Sequence, residues 1–433
     1  MGLLLLMGGS SFSPASLFAN GEQGGWYDPS DFTTLFQNSN GTTAVAAPGD
    51  PVGYIADKSG RGNHRTQSTS GSRPLLARLP DGIRRNLFTY SEDLSNAIWG
   101  KTSVTVTGTD TIVLSAGSAG KYVSQTITGT APSTISFEAK EGAHRYIQVV
   151  SSSDSQHFVN IDLQTGTIGT TGSKAEGALI ESLSDSWKKY RVTITNTGFS
   201  SIRFYAVDSS SAVYGASTSA TTSWQMRKVQ LETGSSANNY QKVVTAADIT
   251  EDGKPDRWCL LYDRTGTWFH QTGNVAFSTD KVTVFSAVRK VSDAARQTVL
   301  ELTASAASNN GAFHLTAPNA ASDTFAFESK GTSLTDAVAT GIAAPATRIL
   351  TGIGNIAGDT ATLRVNGVQA NTDAGDQGTG NYSTAALYFG ARGGSTLPFG
   401  GYEFGTIVRG AETPAATIQQ VERWLAAKAG VTL

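Results

Sequence analysis

The stretch that decides the fold is WYDPSDFTTLFQNSNGTTAVAAPGDPVGYIADKSGRGNHRTQ, residues 26–67. It combines an Asp-Pro-Ser turn, a short hydrophobic element, a long loop and a glycine-rich turn, a pattern typical of the start of a β-domain. Shortly afterwards RRNLFTYSEDLSNAIWGK, residues 84–101, is typical of the start of a different module. Strands in the style of the first segment resume at DRWCLLYDRTGTWFHQTG, residues 256–273. The sequence therefore predicts an outer domain that is interrupted by an inserted one.

The predicted boundaries follow from these changes in pattern. An N-terminal arm covers residues 1–20, the outer sandwich covers 21–84 and 246–433, and the insert covers 85–245. Because chain ends often lie close together on a sandwich, a whole domain can be inserted in a loop of another. The expected fold class is all-β: two antiparallel β-sandwiches of jelly-roll type, one inserted in the other, with a short C-terminal α-helix at 414–429.

Strand patterns dominate the chain. In SIRFYAVD, residues 201–208, Ile202 and Phe204 alternate with Arg203 and Tyr205, which predicts a strand with one buried face. The segment KVTVFSAVRK, residues 281–290, is apolar on both faces and predicts a central strand.

Turn and cap signals define the remaining elements. Asn366-Gly367 tolerates positive φ angles and predicts a type I′ hairpin turn. Thr413 is the expected cap of the final helix, and Gly430 is the expected stop.

Composition excludes several classes of function. The chain has 433 residues, a formal net charge of -2 and only 16% charged residues, so no basic surface for nucleic acid is expected. No apolar run is long enough for insertion into a membrane. Cys259 is the single cysteine, so an intramolecular disulfide is impossible, and its apolar neighbours predict a buried, inert thiol.

No catalytic motif is present. The E-x-D-x-x-E spacing of strand-borne glycosidase carboxylates and the G-x-S-x-G elbow of hydrolases are both absent. The five histidines have no metal-ligand spacing and are expected at the surface or in turns. We therefore expect that the protein is not an enzyme, with a carboxylate pair on neighbouring strands as the alternative.

One segment partly matches a calcium loop. In DITEDGKPD, Asp248, Asp252 and Asp256 provide oxygens around Gly253, although the usual bidentate glutamate is missing. A polar linker is the favoured interpretation, with calcium as the alternative, and no other cofactor is expected.

Sugar-binding candidates come from the aromatic residues. Trp99, Trp187 and Trp224 lie in the motifs that carry the family resemblance described below, which implies core packing as their role and a sugar platform as the alternative. Arg203 and Tyr205, on the polar face of one strand, and Tyr214, in a loop, are the candidate carbohydrate-binding residues.

The two domains resemble known families. The outer segments resemble the concanavalin A-like (laminin G-like) lectin sandwich of bacteriophage structural proteins, in WYDPSDFTTLFQ, IADKSGRGNHRTQ, SRPLL, ATLRVNGVQ and IQQVERWLAAKAGVTL. The insert is similar to the carbohydrate-binding-module-like jelly rolls of phage head-spike and tail-fibre proteins, in NLFTYSEDLSNAIW, VNIDLQTGTIG, SWKKYRVTIT and WQMRKVQLETGSSANNYQ.

The resemblance implies a virion protein, a tail or head fibre or spike that binds host-surface glycans during adsorption. By analogy with fibres it also implies a homotrimer, assembled in the host cytoplasm and acting outside the cell. The alternatives are a virion-associated polysaccharide-degrading enzyme, a purely architectural capsid decoration protein and a secreted cellular binding module.

The arm is the expected contact with other virion proteins. Its apolar cluster, Leu3, Leu4, Leu5, Leu6 and Met7, is too short for a signal peptide or a membrane span. Burial against a partner subunit would remove these side chains from water, so they are the predicted virion anchor. A disordered arm is the alternative.

Overall fold

A computed structural model describes residues 12–81, 83–117, 120–152, 154–195, 198–264 and 268–433. Almost all of its regular structure is β-strand. The first segment carries β1 (Gly24–Tyr27), β2 (Leu35–Phe36), β3 (Tyr54–Ile55), β4 (Arg65–Thr66) and β5 (Leu75–Pro80). The middle segment carries β6 (Gly100–Thr102), β7 (Val104–Thr107), β8 (Thr111–Leu114), β9 (Tyr122–Gly129), β10 (Ser133–Glu141), β11 (Tyr146–Ser151), β12 (Phe158–Asp162), β13 (Ile168–Thr171), β14 (Ala175–Ser182), β15 (Lys188–Ile194), β16 (Phe199–Val207), β17 (Ser223–Thr233), β18 (Gln241–Thr245) and β19 (Asp248–Glu251).

The last segment carries the remaining strands and the α-helix. They are β20 (Asp256–Tyr262), β21 (His270–Ala276), β22 (Lys281–Lys290), β23 (Thr298–Leu302), β24 (Ala312–Thr316), β25 (Phe325–Lys330), β26 (Leu334–Ala339), β27 (Ala346–Asn355), β28 (Thr360–Val365), β29 (Val368–Asp373), β30 (Thr384–Phe389), β31 (Gly401–Arg409) and α1 (Ala415–Ala429). Short 3₁₀ turns lie at Pro14–Phe18, Phe32–Thr34, Ser70–Ser72 and Ser184–Ser186. No helix among the residues described is long and apolar enough to cross a bilayer.

The chain divides into two compact units. Unit 1 is Met1–Ile83 with Asp256–Leu433, and unit 2 is Arg84–Pro255. The predicted insert ends ten residues before unit 2 does, because β18 and β19 form an antiparallel hairpin that belongs to unit 2. The fold is all-β with two sandwiches and one short C-terminal helix, which confirms the predicted fold class.

Unit 1 is a sandwich of two antiparallel sheets. One sheet has the order β5–β20–β31–β22–β27–β28–β29, with β1 on β31, and the other has the order β2–β3–β4–β21–β30–β23–β24–β25–β26. Val284 and Leu350 from the first sheet pack with Leu300, Phe313 and Phe327 from the second in one core. Strand β22 is buried on both faces from its second residue onward, as its two apolar faces predicted.

The helix α1 covers the other face of the first sheet, where it contacts β20, β22, β27 and β31. The carboxylate of Glu422 is buried there and accepts hydrogen bonds from Arg364 Nε at 2.8 Å and Thr351 Oγ1 at 2.9 Å. Gly430 ends the helix in the left-handed region, as predicted. The prediction that Thr413 caps the helix is wrong. Pro414 occupies the N-cap position, and the Thr413 hydroxyl accepts a hydrogen bond from Arg409 instead.

An ion pair lies inside the unit 1 core. Arg65 on β4 is fully buried, and its Nη1 lies 2.8 Å from Oε1 of Glu403 on β31. The guanidinium group lies over the rings of Tyr27, at 4.0 Å, and Phe389, at 3.5 Å. The hydroxyl of Tyr262 donates to Glu403 at 2.9 Å. The two sheets are therefore joined by a buried polar cluster that the strand patterns did not predict.

Unit 2 is a second sandwich, with sheet orders β14–β15–β10–β17–β8–β7 and β13–β12–β11–β16–β9–β6. Its core contains Phe137 and Phe204 together with Trp99 and Trp224, both of which are 1% exposed. Trp187 is also buried. The predicted core packing is therefore confirmed for Trp99 and Trp224, whereas the Trp187 ring lies under the guanidinium group of Arg227, at 4.0 Å.

The N-terminal segment is only partly described. The predicted anchor residues Leu3, Leu4, Leu5, Leu6 and Met7 lie outside the described residues. Within the predicted arm, Pro14–Phe18 forms a 3₁₀ turn whose Leu17 and Phe18 side chains are buried. Arg409 Nε donates to the carbonyl of Leu17 at 2.9 Å. Residues 14–18 thus pack as part of unit 1, because the unit provides an apolar site for their side chains.

The prediction that the histidines lie at the surface or in turns is wrong for His270 and His314, which lie in strands β21 and β24, while His144 and His157 lie outside the strands but are also buried. His157, His270 and His314 are fully buried, and His144 is 5% exposed. Each has a hydrogen-bond partner inside its unit, such as the Val52 carbonyl for His270. A buried imidazole is tolerated when such partners replace water.

Candidate functional site

The predicted carbohydrate-binding residues lie together on one face of unit 2. Ile202 and Phe204 of β16 enter the core, so Arg203 and Tyr205 lie on the opposite face. Tyr122 on β9 is the cross-strand partner of Tyr205, and Tyr214 packs against the same small cluster. We call Tyr122, Arg203, Tyr205 and Tyr214 the tyrosine face.

The rings of this face are held in contact with one another. The Tyr122 and Tyr205 centroids are 4.5 Å apart with an interplanar angle of 40°. The Arg203 guanidinium carbon lies 5.5 Å from the Tyr122 centroid. Tyr205 itself is only 7% exposed, and burial raises the pKa of its hydroxyl. Tyr205 therefore supports the face from below, while Tyr122, Arg203 and Tyr214 are half-buried and reach its surface.

A loop after β16 is fixed over part of this sheet. Gln148 Nε2 donates to Asn160 Oδ1 at 2.8 Å and to the carbonyl of Val213 at 3.0 Å. Its Oε1 accepts from the amide of Gly215 at 2.7 Å. These buried amides place Tyr214 before any ligand arrives, which lowers the entropy cost of binding.

Arg203 is a cation without a carboxylate partner among the described residues. On the same sheet Arg145 forms a bidentate pair with Asp162, with distances of 2.9 Å from Nε and 2.7 Å from Nη2. Arg203 has no such pair among the described residues, and its guanidinium group lies by the Tyr122 ring and the Tyr205 hydroxyl. A guanidinium group presents a planar fork of donors that matches a carboxylate, and the adjacent rings suit the apolar face of a sugar.

Unit 1 carries a second candidate site, an open groove of about 420 Å³ on the outer face of its nine-stranded sheet. Its polar lining residues are Asn274, Thr303, Asn309, Asn310, Ser383, Thr384 and Tyr388, and we call it the asparagine groove. None of the residues that line it carries a formal charge.

A buried charged cluster crosses the sheet beside this groove. Tyr388, Glu301, His314 and Glu328 are successive cross-strand neighbours on β30, β23, β24 and β25. His314 Nδ1 lies 3.1 Å from Glu328 Oε2 and 4.0 Å from Glu301 Oε1. We call Glu301, His314 and Glu328 the acidic row.

Two arginines balance the acidic row. Arg392 Nε donates to Glu301 at 3.1 Å, and Arg296 pairs with Glu328. Both glutamates are almost fully buried, so each needs its arginine to compensate for lost hydration. The row is therefore organised as an internal ion-pair network.

Glu328, at the end of the acidic row, and its neighbour Asp336, outside the row, have carboxyl pKa values that are shifted in opposite directions. Burial acts to raise the pKa of Glu328, but His314 and Arg296 outweigh it and hold that pKa below its ordinary value. On the next strand Asp336 is the cross-strand partner of Glu328, and burial together with the Glu328 charge raises the pKa of Asp336. Opposite shifts in neighbouring carboxyl groups are typical of acid–base pairs.

The calcium candidates are in ordinary strand and turn positions. Asp248 lies in β19, Asp252 lies in the turn that follows, and Asp256 begins β20 and forms an ion pair with Arg78 at 3.2 Å. Among the described residues no group of three or more His, Cys, Asp or Glu side chains could hold a metal ion. Cys259 is fully buried, and burial raises the pKa of its thiol well above the ordinary value, as expected of an inert cysteine.

Comparisons with known proteins return distant structural likenesses. No family model matches the chain, and no curated protein matches it. The CBM40 domain of the Ruminococcus gnavus IT-sialidase is 16% identical over 34% of this chain and 84% of its own, with a TM-score of 0.28. Domain 4 of AbnA, a GH43 extracellular arabinanase from Geobacillus stearothermophilus solved with arabinotriose, is 9% identical over 44% of this chain and 83% of its own, with a TM-score of 0.30. Scores this low leave the function of the chain to be argued from its own residues.

The sequence predicted three residues of the tyrosine face, Arg203, Tyr205 and Tyr214, but not Tyr122, the groove or the acidic row. The signal for the tyrosine face was local, since Arg203 and Tyr205 alternate with core residues on one strand. Glu301, His314 and Glu328 are 13 and 14 residues apart and become neighbours only through strand pairing. A charged or polar residue near the middle of three successive apolar strands was the signal available in the sequence.

Proposed function

We propose that the protein binds host-surface glycans through the tyrosine face and does not cleave them. The observation that carries this proposal is Arg203, a partly exposed cation without a carboxylate partner beside half-buried tyrosine rings. A guanidinium group donates paired hydrogen bonds to a carboxylate, and ring faces cover the apolar side of a pyranose. The preferred ligand is therefore a glycan that contains an acidic sugar.

The biological setting that we propose is the bacteriophage virion. The motif resemblance supports a tail or head fibre or spike, present as a homotrimer, that is assembled in the host cytoplasm and acts outside the cell. In this setting the sandwiches contact the host, and the N-terminal segment contacts other virion proteins. Mass measurement of the purified protein tests the trimer.

Removal of the Arg203 charge tests the binding function. We expect Arg203→Gln to weaken binding to acidic capsular polysaccharide at least tenfold, because a hydrogen bond to a charged group contributes about 1.5–3 kcal/mol. Binding is measured by retention on immobilised acidic and neutral polysaccharides of the host surface. The control Lys242→Gln removes an exposed charge that is already paired with Glu92, and it should bind like the wild type. Equal binding by both variants would contradict the proposal.

The N-terminal anchor has a separate test. We expect removal of residues 2–11 to leave both units folded, because the apolar contacts of Leu17 and Phe18 remain. The truncated chain should be absent from assembled particles, since the apolar cluster at residues 3–7 is lost. Protein content of purified virions measures this, and normal occupancy would place the anchor elsewhere.

A second candidate function is polysaccharide cleavage, and the Glu328–Asp336 pair favours it. These two cross-strand neighbours have pKa values shifted in opposite directions, as a general acid and a general base would need. Release of new reducing ends from the retained polysaccharide, abolished by Glu328→Gln, would establish cleavage in place of simple binding. Absence of both retention and release would leave an architectural role as a capsid decoration protein.

A further inference from the structure

We propose that the asparagine groove of unit 1 is a second carbohydrate site, specific for an uncharged oligosaccharide chain. The groove is in unit 1, whereas the tyrosine face is in unit 2. The groove would bind neutral glycans, whereas the tyrosine face is proposed to bind acidic ones. The inference rests on the groove's chemistry, its rigidity and its separation from the charged groups nearby.

The lining has the functional groups that neutral sugars require. The side chains of Asn274 and Asn310 are exposed, and each amide supplies both a donor and an acceptor for a hydroxyl group. The half-buried ring of Tyr388 provides an apolar surface against which a pyranose ring can pack. No lining residue is charged, so a carboxylate or phosphate ligand would gain no ion pair in the groove.

One wall of the groove is a loop that the protein holds in place. The amide of Ala306 donates to Glu301 Oε1 at 2.5 Å, and Lys330 Nζ donates to the carbonyl of Ala307 at 2.7 Å. Asn309 Nδ2 donates to Thr303 Oγ1 at 3.2 Å. A wall fixed in this way loses little conformational entropy when a ligand binds.

Thr303 shows that the backbone is strained at the groove. Its φ angle is 75°, in the left-handed region that β-branched residues rarely adopt. The surrounding hydrogen bonds hold this conformation, including the bond from its own amide to the carbonyl of Ala386 at 3.0 Å. Strain of this kind concentrates where a backbone must present a ligand surface.

The acidic row explains why the groove is neutral although charges lie beside it. Glu301 is fully buried and satisfied by Arg392 and the Ala306 amide, so its charge is used inside the protein. Tyr388, its cross-strand neighbour, forms part of the groove lining. The row therefore supports the groove's floor and does not face the ligand.

The size of the groove also suits a short sugar chain. A volume of about 420 Å³ lies within the range of roughly 300–1,000 Å³ for small-molecule sites. Its open form leaves space for a sugar chain to extend beyond the groove.

Binding of neutral hexasaccharides to the full chain tests the proposal. The probes are maltohexaose, cellohexaose, laminarihexaose and mannohexaose, each titrated by calorimetry and by saturation-transfer NMR. We expect saturable binding of at least one of them. Asn310→Ala should weaken that binding roughly two- to tenfold, because it removes one neutral hydrogen-bonding group, and Asn274→Ala should have a similar effect.

Two controls separate this site from the tyrosine face and from general effects. Gln369→Ala removes an exposed amide from β29, in the other sheet of unit 1, and should leave the affinity unchanged. Arg203→Gln should also leave the affinity for neutral hexasaccharides unchanged, even if it abolishes the binding of acidic glycans. Failure of every hexasaccharide to bind, or full affinity in both asparagine variants, would overturn the proposal without affecting the tyrosine face.

Discussion

Replacing Glu403 with glutamine should lower the free energy of unfolding of unit 1 by about 3–5 kcal/mol, the usual cost of leaving one member of a buried ion pair without its partner. The Arg65 side chain is fully buried, and that of Glu403 is 4% exposed. Glutamine occupies nearly the same volume, so no cavity contributes to the loss. The destabilisation then measures the cost of a guanidinium ion in the core without its carboxylate.

The single thiol provides the measurement for unit 1 alone. Cys259 is fully buried in β20, so it reacts with 4,4′-dithiodipyridine only when unit 1 opens. The urea dependence of this reaction gives the free energy of unfolding for each variant. Glu412→Gln is the control, because Glu412 is 67% exposed and its 3.2 Å pair with Lys281 should contribute less than about 1 kcal/mol. If Glu403→Gln lowers the free energy of unfolding no more than the control does, then burying the Arg65 guanidinium group without the Glu403 charge has no large energetic cost, and the prediction is wrong.

The strands of this protein were predictable because their information is local. The alternation of apolar and polar residues over 201–208 predicted that Ile202 and Phe204 lie in the core. The apolar residues on both faces of 281–290 predicted a strand that is buried on both faces. The Asn366-Gly367 turn joins β28 to β29 with positive φ angles of 48° and 80°. In each case a segment of ten residues or fewer contains the physical cause of its structure.

The polar interior was not predictable for the opposite reason. Arg65 and Glu403 are 338 residues apart in the chain and meet only when the two sheets of unit 1 pack together. A charged residue on a strand predicts a solvent-facing side chain, since burial without a partner is costly. Only the tertiary structure supplies the partner, and the same holds for the acidic row and for the buried histidines.

Acidification from pH 7 to pH 4.5 should destabilise unit 1, with His270 contributing about 2–3 kcal/mol of the loss. His270 is fully buried and lies 2.8 Å from the carbonyl oxygen of Val52 through Nε2. Burial, followed by the positive charge of Arg65, lowers the pKa of His270 to about 3. In the unfolded chain the imidazole has its ordinary pKa of about 6.5.

The sign of the effect follows from these two values. Between pH 6.5 and pH 3 the unfolded chain binds a proton at His270 and the folded unit does not, so stability falls as the pH falls through this window. The acidic row acts in the same direction only at lower pH, because Glu328 has a lowered carboxyl pKa. The raised pKa of Asp336 acts in the opposite direction, so the contribution of His270 is taken from the difference in slope between the wild type and His270→Gln.

His270→Gln should remove most of this pH dependence, because the glutamine amide can still donate to Val52 but does not titrate. Urea unfolding followed through Cys259 at several pH values measures the slope, since dithiodipyridine reacts in acid. His144→Gln is the matched control: burial lowers the pKa of His144 too, but this residue lies in unit 2 and should not change the slope for unit 1. If His270→Gln keeps the wild-type slope, the imidazole is not the group that couples protons to the folding of unit 1.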